Sequence, residues 1–403
     1  MPALRLLAAS TLPLSVAASL LVGPPPGSAA DPDPDIAATA PSTSVRTSGT
    51  QRIRVEALPQ IVQQGGRVTS PDVAEAAITA NIRPVEAGRK VWLQVQRGST
   101  WQSVAWVAQD SKGRAEFAAP AAESGEPLTY RVRAGQRENL TALTSDSVSA
   151  ARWLTPTWTE EFSGSALPSA WHHRGQTFEH SSLRRCSRGD PSAVVVRDGA
   201  VRLSVLRDRS RTTKCKARVN GKVVGKYPYR LNGHIGTQGT FSFKYGIAAA
   251  RIKFHRLSGQ HGAFWMQPLE GMFPGGTGHE IDVVEYFGDN HNRAGLTTFI
   301  HRYEGDQVVK TGSRITDPRS LLKKKGDRWS KSYHVFSVQW TPRTLIFRID
   351  GKETIRISGS ISSVAQYPIL SLLSSDYEIP HILNRQLPQH MYVDWVRVWE
   401  TGS

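Results

Sequence analysis

The sequence predicts an all-β protein, a small antiparallel sandwich followed by a larger one. Three observations point there. Short alternating stretches between residues 51 and 150 are separated by turn residues every ten or so positions, and strand-like segments recur from there to residue 402. Helical periodicity is scarce, and "DPRSLLKKKGD" offers one short turn at best. Strands without intervening helices must bury their apolar faces against other strands, and the stable result is a sandwich.

Taken in order, the chain begins "MPALRLLAASTLPLSVAASLLVGPPPGSAADPDPD". Arg5, an apolar stretch and small residues before Asp31 form the pattern of a secretory signal over residues 1–30, cleaved after Ala29 or Ala30. Read as a membrane anchor, the stretch is interrupted by proline and marginal in length. No later stretch is apolar enough to span a bilayer. A secreted, extracellular and not membrane-spanning protein is therefore expected. Residues 31–50, opening "DPDPDIAATAPSTS", read as a disordered Pro/Ser/Ala tether. Residues 51–150 hold "RKVWLQVQRG", "WQSVAWVAQD", "GRAEFAAP" and "LTYRVRAG", the strands of a small sandwich. This part resembles the immunoglobulin-like modules attached to exported bacterial enzymes. It concentrates no catalytic residue types, so a spacer or weak binding role is expected. Residues 153–402 carry the larger sandwich, with segments such as "GIAAARIKFHR", "HEIDVVEYF", "GLTTFIHRY" and "MYVDWVRVWE".

A chain of 403 residues suits two domains plus a targeting segment. Its formal net charge of +16 favours acidic partners, whether nucleic acid, an anionic membrane or an anionic polymer. A merely solvated basic surface is the plain alternative. No nucleic-acid-binding module is recognisable, so no nucleic acid is expected as a partner. The two cysteines, Cys186 and Cys215, predict one disulfide in an exported protein, against two free thiols. Two cysteines cannot make a four-ligand zinc site. No metal or other cofactor is expected, and the chain reads as a monomer.

The chemistry concentrates in "GHEIDVVEYFG", residues 278–288. Glu280, Asp282 and Glu285 interrupt an apolar run, where carboxylates are costly without partners or a task. On a helix they would lie about 200° and 500° apart and would not converge. Val283, Val284 and Tyr286 also favour a strand. On a strand Glu280 and Asp282 share a face, and Glu285 has the wrong parity. One extra residue at Val283–Val284, a β-bulge, would bring all three acids onto one face. Three carboxylates there repel, so at least one should have a raised pKa. One ionised and one protonated carboxyl across a sugar bond is what a glycosidase needs. Acids paired with Arg or Lys, or a cation site, are the structural alternatives.

The run Glu280-Ile281-Asp282-Val283-Val284-Glu285 resembles the E-x-D-x-x-E signature of glycoside hydrolase family 16, in its bulged, laminarinase-like form. "GTFSFKYGIAAARIKF", with Tyr245, Gly246, Arg251 and Lys253 in matching places, "GQHGAFWMQP", "YHVFSVQWTPRTLIFRIDGKE" and "MYVDWVRVWE" extend the likeness over most of residues 155–402. The resemblance implies a concanavalin-like β-jelly-roll with a concave glycan-binding face and a polysaccharide substrate. It assigns Glu280 as nucleophile, Glu285 as general acid and then base, and Asp282 as the group that tunes the pair. It implies retention of configuration. It also offers Trp265 as a sugar-stacking platform and His301 and Arg251 as cleft residues, while Tyr286 is expected in the core.

Departures from the family pattern bear on substrate. The usual Trp-Pro before the alanine is His261-Gly262, a second tryptophan position is Phe273-Pro274, and the usual Glu before Arg251 is Ala249. β-1,3- or β-1,3-1,4-glucan is the expected substrate. The basic runs "RDRSRTTKCKARVNGKVVGKYPYR" and "LLKKKGDR" raise an anionic glycan as the alternative. A transglycosylase would use the same residues, whereas a non-hydrolytic wall protein would not need them.

Overall fold

The computed structural model describes residues 40–291, 295–322 and 325–401. The predicted secretory signal and residues 31–39 of the predicted tether lie outside them. Among the described residues the structure is β throughout, with only single turns of 3-10 helix between strands. The turn expected in "DPRSLLKKKGD" is one of these, Pro318–Leu321.

The N-terminal sandwich has two antiparallel sheets. One joins Thr43–Ser48, Gln51–Ala57, Ala76–Arg83 and Arg114–Ala119. The other joins Leu143–Thr144, Thr129–Ala134, Lys90–Arg97 and Thr100–Ala108. Alternation fixes which face is buried: Val91, Leu93 and Val95 turn in, and Lys90, Trp92 and Gln94 turn out. Thr43–Ser48 corrects the tether expectation for its last residues. This segment pairs in full register with Gln51–Ala57, so the sheet starts inside the stretch read as disordered. Its sequence is polar because four of its six side chains are exposed.

The C-terminal sandwich is a jelly-roll sheet folded over on itself. Twelve strands follow one hydrogen-bonded path, and four short ones pair beside it. One layer runs Gln307–Arg314, Leu296–Glu304, Glu280–Tyr286, His261–Pro268, Gln366–Leu373, Arg230–Gly236. Ala200–Arg207 pairs with that last strand and with Gln389–Glu400, and so carries the path into the second layer. The second layer continues through Gly246–Lys253, His334–Trp340, Thr344–Ile349 and Lys352–Ser358. Between the layers lies one apolar cluster that includes Phe264, Ile281, Val284, Tyr286, Ala250, Phe336 and Val396. It leaves the opposite face of the first layer for function.

The two sandwiches form one compact unit and share buried surface. Ile247, Ala249, Val335, Trp395 and Trp399 of the larger one join the apolar cluster of the smaller. Gly246–Lys253 is therefore buried on both faces, which explains why "GIAAARI" is continuously apolar rather than alternating.

Cys186 and Cys215 form a disulfide, with Cα atoms 5.5 Å apart. The buried Asp376 accepts hydrogen bonds from the backbone N–H groups of Cys186 and Arg218, tying the basic loop to the sandwich.

Candidate active site

The acid strand, Glu280–Tyr286, has the predicted irregularity. Against its neighbour His261–Pro268, Trp265 pairs with Asp282 and Phe264 with Val284, so Val283 is the extra residue. Against Leu296–Glu304 the register slips between Asp282 and Glu285. The bulge restores parity: Ile281, Val283, Val284 and Tyr286 are core residues, while Glu280 and Glu285 remain half-exposed on the other face. Asp282 lies between them and is largely buried. Gly288 ends the strand with a positive φ of 107°, and a Cβ there would sit 2.5 Å from the Ser258 backbone nitrogen.

Each acid has a different partner. Gln267 Nε2 donates to Glu280 Oε2 at 2.9 Å. Gln267 is itself fixed through its Oε1, which accepts from Arg174 and from the Tyr367 hydroxyl, both at 3.0 Å. Thr297 Oγ1 donates to Glu285 Oε2 at 3.0 Å. His301 Nε2 lies 3.2 Å from Asp282 Oδ2. Burial pushes the Asp282 pKa up to about 7, and the charges of Glu285 and Glu280 push the same way against the His301 hydrogen bond. The hydrogen bond to Asp282 raises the His301 pKa in turn, against burial. Like-charge crowding thus raises the central carboxyl, with burial as the larger cause. Donor atoms of Glu280, Asp282 and His301 lie within 4.8 Å of one another, a spacing that a hard cation could bridge.

Of the predicted contacts, the structure brings Trp265 and His301 to this face. Trp265 is opposite Asp282, donates to Ser371 Oγ at 3.1 Å, and stacks on His234 at 6.0 Å between ring centroids. Burial and the nearby charges of Arg174, Arg184 and His261 hold His234 neutral. His301 is opposite Glu280. Tyr286 is in the core, with its hydroxyl donating to Asp289.

Arg251 corrects its assignment as a cleft residue. It is fully buried against the small sandwich, ion-paired with Asp394, and its Nε donates to the Gln63 carbonyl at 2.8 Å. Parity is the reason. Ala248, Ala250 and Ile252 face the core of the larger sandwich, so Ala249 and Arg251 must face outward, where the module covers them. Ala249 stands in that covered interface, where a glutamate would need a partner.

Sequence reasoning missed Gln267, Thr297, Arg174, Tyr367 and the buried pair His261–Glu378, 2.9 Å apart. Burial disfavours charge on His261, but the Glu378 carboxylate outweighs it and raises the pKa. Parity could have found Gln267, two residues from Trp265, and Thr297, four from His301. Arg174, Tyr367 and Glu378 come from distant segments and leave no local signal.

The model of the glycosyl hydrolases family 16 matches residues 199–395. A keratan-sulfate endo-1,4-beta-galactosidase of Sphingobacterium multivorum is 26% identical over 194 residues, covering 45% of this chain and 43% of that protein. A glucan endo-1,3-beta-glucosidase A1 of Niallia circulans is 24% identical over 273 residues, covering 60% and 37%. This chain thus spans less than half the length of these curated relatives. Among solved structures, the laminarinase catalytic domain of Thermotoga maritima MSB8 is 18% identical, covers 62% of this chain and 99% of its own, and superposes with a TM-score of 0.49. The family match spans the bulged acid strand, and the C-terminal sandwich is thereby a glycosyl hydrolases family 16 domain.

Proposed function

We propose that the protein is a secreted, retaining endo-β-glycanase that hydrolyses β-1,3- or β-1,3-1,4-glucan. The observation that carries this reading is the bulge at Val283, which sets three carboxylates on one open face. Glu280, oriented by Gln267, attacks the anomeric carbon and forms a glycosyl-enzyme bond. Glu285 protonates the departing glycosidic oxygen, then takes a proton from the water that breaks the intermediate. Asp282 holds a proton near neutral pH and stabilises Glu280 by lying beside it without adding a full negative charge. Trp265 offers an indole face for a pyranose ring. The buried disulfide fits an exported chain.

One observation favours a second substrate. His261 replaces an expected aromatic position and is paired to Glu378, and Arg174 and Arg184 flank His234 beneath Trp265. A basic cleft with few indoles suits an anionic glycan, in keeping with the name of the S. multivorum relative.

Reducing-end release from laminarin, lichenan, agarose, carrageenan, hyaluronan and galactan tests both readings, with Glu280→Gln as control. Release from laminarin or lichenan that vanishes in the control supports the first reading. Release from only the charged glycans supports the second. Binding without release would make this a wall-binding protein, and equal activity in the control would remove Glu280 from the mechanism. NMR of the first anomer formed tests retention.

A further inference from the structure

Six of the eleven tryptophans are buried. Of the other five, Trp265 stands on the acid face, and three lie together on the small sandwich. Trp92 and Trp106 are direct cross-strand neighbours on Lys90–Arg97 and Thr100–Ala108, and Trp101 faces Gln96 farther along the same pair of strands. The separation between the two tryptophan positions is four residues along the strand, roughly 13 Å, longer than one pyranose ring. Trp106 is 59% exposed, and Val104 beside it 51%. Exposed aromatic area of this kind marks a binding surface.

Cations are interleaved with these rings. Lys90 Nζ lies 4.4 Å from the Trp106 ring centre and 5.0 Å from that of Trp92. The guanidinium of Arg131 covers Trp101 at 4.3 Å, and that of Arg133 lies 5.4 Å from Trp92. Gln94 completes the row, accepting from Arg131 Nε at 2.8 Å and donating to Ser103 at 3.2 Å. Among the described residues none of these three cations has a carboxylate partner, and the outward positions of these strands hold no acid. Burial and the charge of Arg133 lower the Arg131 pKa, a strain that a bound anion would relieve. Contacts with the large sandwich come from the other sheet and its loops, through Glu56, Gln63, Gln64, Arg114 and Glu116. This face is left in solvent.

We propose that the outer face of the Lys90–Arg97 and Thr100–Ala108 strands is a binding site for an acidic polysaccharide bearing uronate carboxylates. Indole faces take the pyranose rings, and the cations take the carboxylates. Two of the three cations are arginines, whose planar fork matches a planar carboxylate in two hydrogen bonds. Cation–π pairs alone would steady the sheet only modestly, and that role requires no exposed row. The site lies apart from the acid strand and would hold the enzyme on an anionic wall while the cleft works on the glycan.

The test uses the full chain carrying Glu280→Gln, so that binding is read without turnover. Affinity electrophoresis and calorimetry against polygalacturonate, laminarin, dextran sulfate and an oligo(dT) strand are compared with the Trp106→Ala and Lys90→Gln/Arg133→Gln variants. Polygalacturonate is expected to bind and to weaken about tenfold in each variant, with binding falling as salt rises and laminarin unaffected. Trp265→Ala, which alters only the acid face, should leave polygalacturonate binding intact. Circular dichroism and melting temperature check that the variants fold, since Lys90 and Trp106 are exposed and Arg133 is half-buried. No polygalacturonate binding, equal polygalacturonate affinity in the variants, tighter binding of dextran sulfate or oligo(dT), or weaker laminarin binding in Trp106→Ala overturns the proposal. Absence of hydrolysis in the wild type would fall on the cleft reading alone, because this readout requires no catalysis.

Discussion

Two strands of the large sandwich put charge into otherwise apolar sequence, with opposite results. Gly246–Lys253 is buried on both faces, and its one fully buried charge, Arg251, is saturated by Asp394 and by the carbonyls of Gln63 and Arg67. Glu280–Tyr286 is buried on one face only, and its other face crowds three carboxylates around a single histidine. In the first strand opposite charges and backbone dipoles meet, and the charge has nothing left to do but hold two sandwiches together. In the second, like charges meet, and the central carboxyl is pushed toward neutrality. Saturation marks structure, and crowding of like charge marks chemistry.

The comparison is tested most severely at its two ends. Glu280→Gln keeps the shape and the hydrogen bond from Gln267 but removes the proposed nucleophile. Activity on the substrate found should fall by at least about 10³-fold, with the melting temperature nearly unchanged. Arg251→Met should do the reverse. It leaves Asp394 buried and unpaired, at a cost of about 3–5 kcal/mol, seen as a lower denaturation midpoint. Turnover per folded molecule should stay within about twofold. A variant at 251 that lost turnover without losing stability would break the contrast.

These two residues also show what was legible in the chain. The acid spacing of two and then three contained the bulge, because strand parity is strict and only an added residue repairs it. Trp265 and His301 were readable only through the family resemblance, and the pairings give the physical reason they reach this face: Trp265 is opposite Asp282 and His301 opposite Glu280. Arg251 was not, because its partner surface is a separate sandwich whose covering of Gly246–Lys253 has no local signature. The doubly apolar "GIAAARI" was the available hint, since a strand with one solvated face would alternate. Thr43–Ser48 was hidden by its polarity, because an edge strand with exposed side chains reads like a tether.

The crowding itself has a pH signature. The Asp282 carboxyl sits near 7 in the folded protein against an ordinary 3.8. Between those values the folded state keeps a proton that the unfolded chain has released. Stability should therefore fall as pH rises from about 4 to about 7, then level off. The raised His301 pKa acts in the same direction, since its stabilising charge is lost as pH climbs through the folded value. Asp282→Asn should flatten most of this slope and stabilise the protein at pH 8 by on the order of 2–4 kcal/mol. It should also weaken the alkaline limb of the pH–rate profile. Urea denaturation at pH 5, 6, 7 and 8 measures the slope. An unchanged slope would mean that Asp282 is ionised across the range, and the crowding argument would fail.

The smallest effect separates holding an acid from tuning it. Thr297 Oγ1 donates to Glu285 Oε2, and its own strand neighbour Thr298 is turned the other way, to the Val283 carbonyl at the bulge. Thr297→Val keeps the β-branched shape in the strand and removes one hydrogen bond to the proposed acid/base. Such a bond to a charged group is worth about 1.5–3 kcal/mol, and part of it is replaced by water because Glu285 is half-exposed. The expected loss is about five- to tenfold in kcat, with KM and the melting temperature steady. Thr298→Val loses its bond to a buried carbonyl instead, so it should lower stability by about 1 kcal/mol and leave kcat within about twofold. Should both variants lower kcat equally, the bulge would be supporting Glu285 through the backbone rather than through Thr297.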